Sequence, residues 1–187
     1  DDNGTFYRYG GGIYCEGSSP TISNCIITDN ESYGGGGGGI FCYNASPLFF
    51  NTTISDNITD DVGGGLYARD DSSPQFNGCT FFSNISEYGG GCYIRSFSEA
   101  LMVNTYVSDN TAANTGGGLV LKDNANLIAE QLFVTGNISE GLGGGIYINN
   151  ADPTFNFLLV ANNTASSGGG VYVRSSSYPV FKNSTFS

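Results

Sequence analysis

The chain has 187 residues, of which 17 are acidic and 6 basic, with no histidine and a formal net charge of −11 at pH 7. That balance argues against a nucleic-acid or anionic-membrane surface, which needs clustered Lys and Arg, and the lack of histidine excludes Ser-His-Asp triads and His-based metal sites. With 29 glycines and only 12% charged residues the composition favours turns over helices, and no apolar run suits a signal or a membrane span, so the chain reads as a mature piece or excised segment without membrane insertion.

The first element is a glycine run followed by an apolar-aromatic-apolar triplet, Gly10–Cys15. It returns at Gly37–Cys42, Gly63–Ala68, Gly89–Ile94, Gly116–Leu121, Gly143–Ile148 and Gly168–Val173. The last glycine of each run falls at 12, 39, 65, 91, 118, 145 and 170, a spacing of 25 to 27 residues. Such a period marks a solenoid. Alternation within the triplet turns two residues inward and one outward. One inward column is Ile13, Ile40, Leu66, Cys92, Leu119, Ile146 and Val171, and the other is Cys15, Cys42, Ala68, Ile94, Leu121, Ile148 and Val173.

A Ser-Ser-Pro-like corner follows, at Pro20, Pro47, Pro74, Pro153 and Pro179, and starts a second short strand. Its inward column is Ile22, Phe49, Phe76, Met102, Phe155 and Phe181, with Ile128 or Ala129 in the fifth turn. A third strand carries Cys25, Thr52, Cys79, Thr105, Leu132 and Leu158 inward, then Ile27, Ile54, Phe81, Val107, Val134, Val160 and Phe186. Each third strand ends in an asparagine, at Asn30, Asn57, Asn84, Asn110, Asn137 and Asn163. Asparagine tolerates left-handed backbone and bonds neighbouring peptides, so a stacked Asn ladder is expected at this corner. These elements predict an all-β, single-stranded parallel β-helix of about seven turns of 25–27 residues, with three short strands per turn. Residues 1–187 form one solenoid that begins and ends at the same phase of the repeat, and both ends are expected to be uncapped.

The Gly-Gly-x-apolar motif, together with the aromatic-x-x-Asn pattern at Phe81-Phe-Ser-Asn84, resembles the passenger domains of chlamydial polymorphic outer membrane proteins. More broadly the whole chain resembles the pectin-lyase-like superfamily, and that resemblance implies a right-handed coil. The third position of the Gly motif is glycine here where that passenger family has alanine, and Phe133-Val-Thr-Gly-Asn137 has one residue too many. Enzymes of the superfamily use clustered aspartates, with or without Ca²⁺, or arginine and lysine bases. The acids in question are Asp29, Asp56 and Asp109, with Asp2 in phase, which are either a solvated edge or a place for a hard cation.

Several surface features remain. Tyr14, Phe41, Tyr67, Tyr93, Tyr147 and Tyr172 form an outward aromatic column, with Val120 in the gap. They are either a ladder that stiffens the sheet or a face for glycans or a protein neighbour. Arg69, Arg95, Lys122 and Arg174 share another outward column with Glu16, Tyr43 and Asn149, and either balance Asp70, Asp71, Asp123 and Glu99 or grip an acidic glycan or subunit. Leu101, Tyr106, Ile128, Phe133 and Leu159 are expected to form an outward apolar patch for lateral contact. Sequons stand at Asn3, Asn30, Asn44, Asn51, Asn57, Asn84, Asn137, Asn162 and Asn183, with Pro47 disfavouring Asn44, and point to an extracellular or cell-surface glycoprotein. Cys15 and Cys42 share a column one turn apart, Cys25 and Cys79 two turns apart, and buried free thiols are expected. The reading is a non-enzymatic structural unit of a surface filament or fibrous stalk, without cofactor, whose partners are copies of itself. The alternatives are an adhesin-like glycan-binding passenger and, more remotely, a polysaccharide lyase or hydrolase.

Overall fold

The computed structural model describes residues 8–187, so Asp2 and the Asn3 sequon lie outside the described residues. The chain coils as a parallel β-solenoid with three sheets. The first sheet holds seven strands, Ile13–Glu16, Ile40–Tyr43, Leu66–Arg69, Cys92–Arg95, Leu119–Lys122, Ile146–Asn149 and Val171–Arg174. Seven such strands bound about six full turns. Every pair is parallel and in the register the repeat predicts, with Ile13 beside Ile40, Cys15 beside Cys42 and Ile94 beside Leu121.

The second sheet gathers both remaining predicted strands of each turn. In the early turns they are separate, as in Thr21–Ser23 and Ile26–Thr28; they then fuse into Glu99–Ser108, Asn126–Thr135 and Thr154–Ala161, and separate again as Val180–Lys182 and Thr185–Phe186. What separates or bends them is one left-handed residue per turn, at Asn24, Asn51, Gly78, Asn104, Gln131, Phe157 and Asn183. The register places Ala129, not Ile128, in the inward column between Met102 and Phe155.

The third sheet follows the Asn corner and was not expected. Its strands are Glu31–Ser32, Ile58–Thr59, Ile85–Tyr88, Thr111–Thr115 and Ile138–Ser139. Its inward residues are Ser32, Thr59, Ser86, Ala112 and Ser139, all buried. Side chains this small let the third wall close tightly on the core, and they carry no apolar period.

Phe49, Phe76, Phe81, Phe155 and Met102 fill the interior with the aliphatic columns of the first sheet. Phe49 and Phe76 stack from turn to turn with centroids 4.8 Å apart, and Phe81 meets Phe76 edge-on at 5.0 Å. Each glycine of a run has its own reason. Gly63 has a φ of +69°, where a side chain is strained. A Cβ on Gly64 would lie 2.5 Å from the Gly90 carbonyl oxygen, and one on Gly65 would lie 3.1 Å from the Asn84 amide nitrogen. The run is therefore a corner wedged between neighbouring turns and the Asn ladder.

Candidate functional site

The Asn corner carries a continuous ladder of side-chain hydrogen bonds along the coil. Each Oδ1 accepts from both the backbone N–H and the Nδ2 of the asparagine one turn earlier, as Asn84 does from Asn57 at 3.1 and 3.0 Å. The other Nδ2 hydrogen of Asn84 goes to the Ile54 carbonyl at 2.9 Å, and the pattern repeats at Asn110 and Asn137. The ladder runs from Asn30 to Asn163 and satisfies all the amide groups it buries. It is not itself left-handed. The positive φ falls one residue earlier, at Asp29, Asp56, Ser83, Asp109, Gly136 and Asn162.

This placement corrects the sequon reading. Asn57, Asn84 and Asn137 are fully buried in the ladder, and Asn30 is half-buried in it. An amide whose hydrogens both bond protein atoms has no room for a glycan. Asn44, Asn51, Asn162 and Asn183 are exposed.

The aromatic column points out of the coil but is not a free face. Phe41, Tyr67, Tyr93, Val120 and Tyr147 are buried, forming a second cluster beneath Tyr9, Val62, Tyr88 and Leu142, with Tyr172 half-buried beside it. Of the column, Tyr14 alone is well exposed, at 48%. Phe41 and Tyr67 meet edge-on at 5.3 Å, and Tyr67 and Tyr93 at 5.6 Å. Burial raises the Tyr67 and Tyr93 hydroxyls above their ordinary value. The covering residues are a column that the sequence reading missed. Their signal is an apolar residue directly before a glycine run, as at Tyr9, Val62, Tyr88 and Leu142.

Val120 interrupts the aromatics, and its smaller side chain leaves a groove of about 360 Å³ between Tyr93 and Tyr147. Lys122, Asn149 and Arg174 line one side and Tyr88 the other. Among the described residues ion pairs hold Arg69 to Asp70 and Arg95 to Asp123, the second at 3.6 Å, while Lys122 and Arg174 make none. The basic column therefore divides into a charge-balanced half and a half that faces this groove. Beside the column's middle, Asp61 is half-buried, and burial first, then the charges of Asp60 and Glu87, raises its carboxyl above the ordinary value.

Asp29, Asp56 and Asp109 stand on the exposed edge, with Ser83 between the second and third. The predicted apolar patch does come together on the second sheet. Leu101 lies beside Ile128, and Tyr106, Phe133 and Leu159 form one column, with the Tyr106 and Phe133 rings stacked at 4.6 Å. Tyr106 and Ile128 are exposed and the other three half-buried. All five cysteines are free thiols, Cys25 exposed and the rest buried. The Cys15 thiol, accepting from Cys42, is drawn down to about 7, and Cys42 is pushed up as donor and by burial.

The family model described as "Right handed beta helix region" matches residues 2–133. Comparison with curated proteins and with solved structures gives no match to either.

Proposed function

The chain belongs to the right-handed β-helix family, and from that premise we propose that it is a non-enzymatic structural unit of an extracellular filament or fibrous stalk. The observation that carries the reading is the unbroken axial tie from Asn30 to Asn163, parallel to the backbone ladders of all three sheets. Every turn is bonded to the next by main chain, by side-chain amides and by a packed interior, which makes a stiff rod. Stiffness along one axis suits a stalk or a fibre. Electron microscopy of the native surface material with bound antibody tests this, the expected image being label at regular intervals on a thin fibre. Turnover of a polyuronate by the isolated protein, abolished by Asp29→Asn or Asp56→Asn, overturns it.

A second reading has one observation in its favour. The groove at Val120 offers Lys122, Arg174 and Asn149 beside tyrosine walls, a set that suits an acidic sugar. On this reading the domain is an adhesin-like passenger. A glycan array positive for uronate or sulfated glycans, and lost in Lys122→Ala with Arg174→Ala, supports it over the first.

A further inference from the structure

Two of the five thiols bond to each other rather than to the main chain. Cys25 donates to the Ser23 carbonyl at 3.2 Å, and Cys79 donates to the Phe49 and Asn77 carbonyls at 3.5 and 3.6 Å. Cys92 lies in the other inward column of the first sheet, where both its neighbours are leucines, Leu66 and Leu119. Cys42 instead donates to Cys15. These two are Cα partners in the parallel pair of Ile13–Glu16 with Ile40–Tyr43, and both side chains are buried inside the coil. We propose that Cys15 and Cys42 form a disulfide in an oxidising compartment, a covalent tie along the axis between successive turns of the first sheet.

The column sets the geometry. Partners in register stand about 4.8 Å apart at Cα, inside the roughly 4.4–6.8 Å that a disulfide spans. Cβ atoms on parallel neighbours start at about the same separation and must close by roughly 1 Å to reach the usual ~3.8 Å. The sulfurs already face each other, so the movement left is a small closing of one turn on the next. The strain of that closing makes the bond easier to reduce than a relaxed structural disulfide. Another pair in one column is out of range: Cys25 and Cys79 stand two turns apart, about 9.6 Å, with Thr52 between them.

The step balances as a dithiol oxidation by a disulfide such as oxidised glutathione. The Cys15 thiolate attacks one glutathione sulfur and releases the other as a thiolate. The Cys42 thiolate then attacks the Cys15 sulfur and displaces the second glutathione. Two S–H bonds are lost and one S–S bond is gained, two electrons pass to the oxidant, and the two protons leave on the released glutathione thiols. Both sulfurs are shut away from solvent in the closed coil, so the exchange belongs to folding, before these two strands pair. The bond closes the loop from Cys15 to Cys42 and restricts the unfolded chain, whether the solenoid serves a fibre or an adhesin.

Refolding of the whole chain from urea, in glutathione buffers of rising oxidised fraction, tests the proposal. Thiols are quenched in acid, alkylated in denaturant and located by mass. All five cysteines are expected to be alkylated at the reduced end, and Cys15 and Cys42 to be protected at the oxidised end. Cleavage after Glu16, Glu31 and Arg69 leaves Cys15 and Cys42 on separate fragments, which the bond should hold together until reductant is added. Cys15→Ser should leave Cys42 open to alkylation in every buffer, and Cys42→Ser should do the same for Cys15. Alkylation of both residues in the wild type at every buffer ratio overturns the proposal, as does a bond that joins any other pair. A Cys15–Cys42 bond that forms in urea but is lost on refolding in the same buffer overturns it too, because the folded column then opposes the bond.

Discussion

Replacing Asn84 with alanine removes four side-chain hydrogen bonds from a site where Asn57, Asn84 and Asn110 are all fully buried. The Asn57 backbone N–H and one Asn57 amide hydrogen lose their acceptor, and the Ile54 carbonyl loses a donor. At roughly 1–3 kcal/mol for each buried polar group left unpaired, the three together cost about 4 kcal/mol once a water enters the vacated space. For a chain of this length about 2–4 °C of melting temperature accompanies each kcal/mol, so a fall of roughly 8–16 °C is expected. Thermal unfolding followed by circular dichroism measures it. Asn77→Ala, on the exposed outer face of the second sheet, is the control and should stay within about 0.5 kcal/mol of wild type. Asn84→Asp should be no better than Ala at pH 7, because its second oxygen faces the Ile54 and Asn110 oxygens. It should recover in part in acid, where a protonated carboxyl donates again. A melting shift for Asn84→Ala no larger than that of Asn77→Ala would refute the ladder as a source of stability.

Gly64→Ala places a methyl 2.5 Å from the Gly90 carbonyl oxygen and should lower stability by more than about 4 kcal/mol, whereas Gly17→Ala, with nothing within 4 Å, should lose only about 1–2 kcal/mol for its left-handed φ; urea unfolding compares them. Asp61 has its carboxyl raised by burial, then by Asp60 and Glu87, so the folded chain holds that proton more tightly than the unfolded one. Its contribution is complete below the unfolded value and is lost as pH rises through the folded one. Asp61→Asn should therefore raise the urea midpoint at pH 7 and leave it unchanged near pH 3. Expression in a secretory host should give glycans at Asn51, Asn162 and Asn183 in the folded protein and none at Asn57, Asn84 or Asn137, as read by peptide mass mapping.

The inward columns were legible because each turn repeats the same burial with the same type of side chain. Ile40, Leu66, Cys92 and Leu119 are interchangeable only in a dry interior, and the 25–27-residue period places them together without any knowledge of the corners between. The third sheet was hidden for the converse reason. Ser32, Thr59, Ser86 and Ser139 are as buried as Ile94, yet serine and threonine in a chain rich in both read as turn. For the aromatic column the sequence left open a ladder or a face, and only its direction was legible. Alternation gave its direction correctly, but direction is a property of one strand, while exposure depends on what other segments lay over it. Tyr9, Val62, Tyr88 and Leu142 reach across from the residue before four of the glycine runs, a position where hydrophobicity comes and goes with the turn. Where the cover meets Val120 instead of a ring, the groove opens.

The edge acids show how backbone geometry produces a pattern that resembles chemistry. Asp29, Asp56 and Asp109 invite a cation because carboxylates one turn apart suit one. The equivalent positions in other turns are Ser83, Gly136 and Asn162, which share no charge. What all six share is a left-handed backbone, with φ between 53° and 68°. Aspartate, asparagine and glycine are the residues that enter that region most readily, and serine follows with its short polar side chain. The step itself is required by the ladder: the chain must reverse its twist for one residue so that the following asparagine can aim its amide along the axis. An acid at this edge therefore needs no ligand to account for it. The same reasoning separates the two asparagine positions at the corner. Asn162 and Asn163 are adjacent in sequence, yet the first turns the chain while the second donates to the Val134 carbonyl at 2.9 Å and accepts from Asn137. Only the first is left with a side chain directed to solvent, and it is the one whose sequon a glycan can occupy.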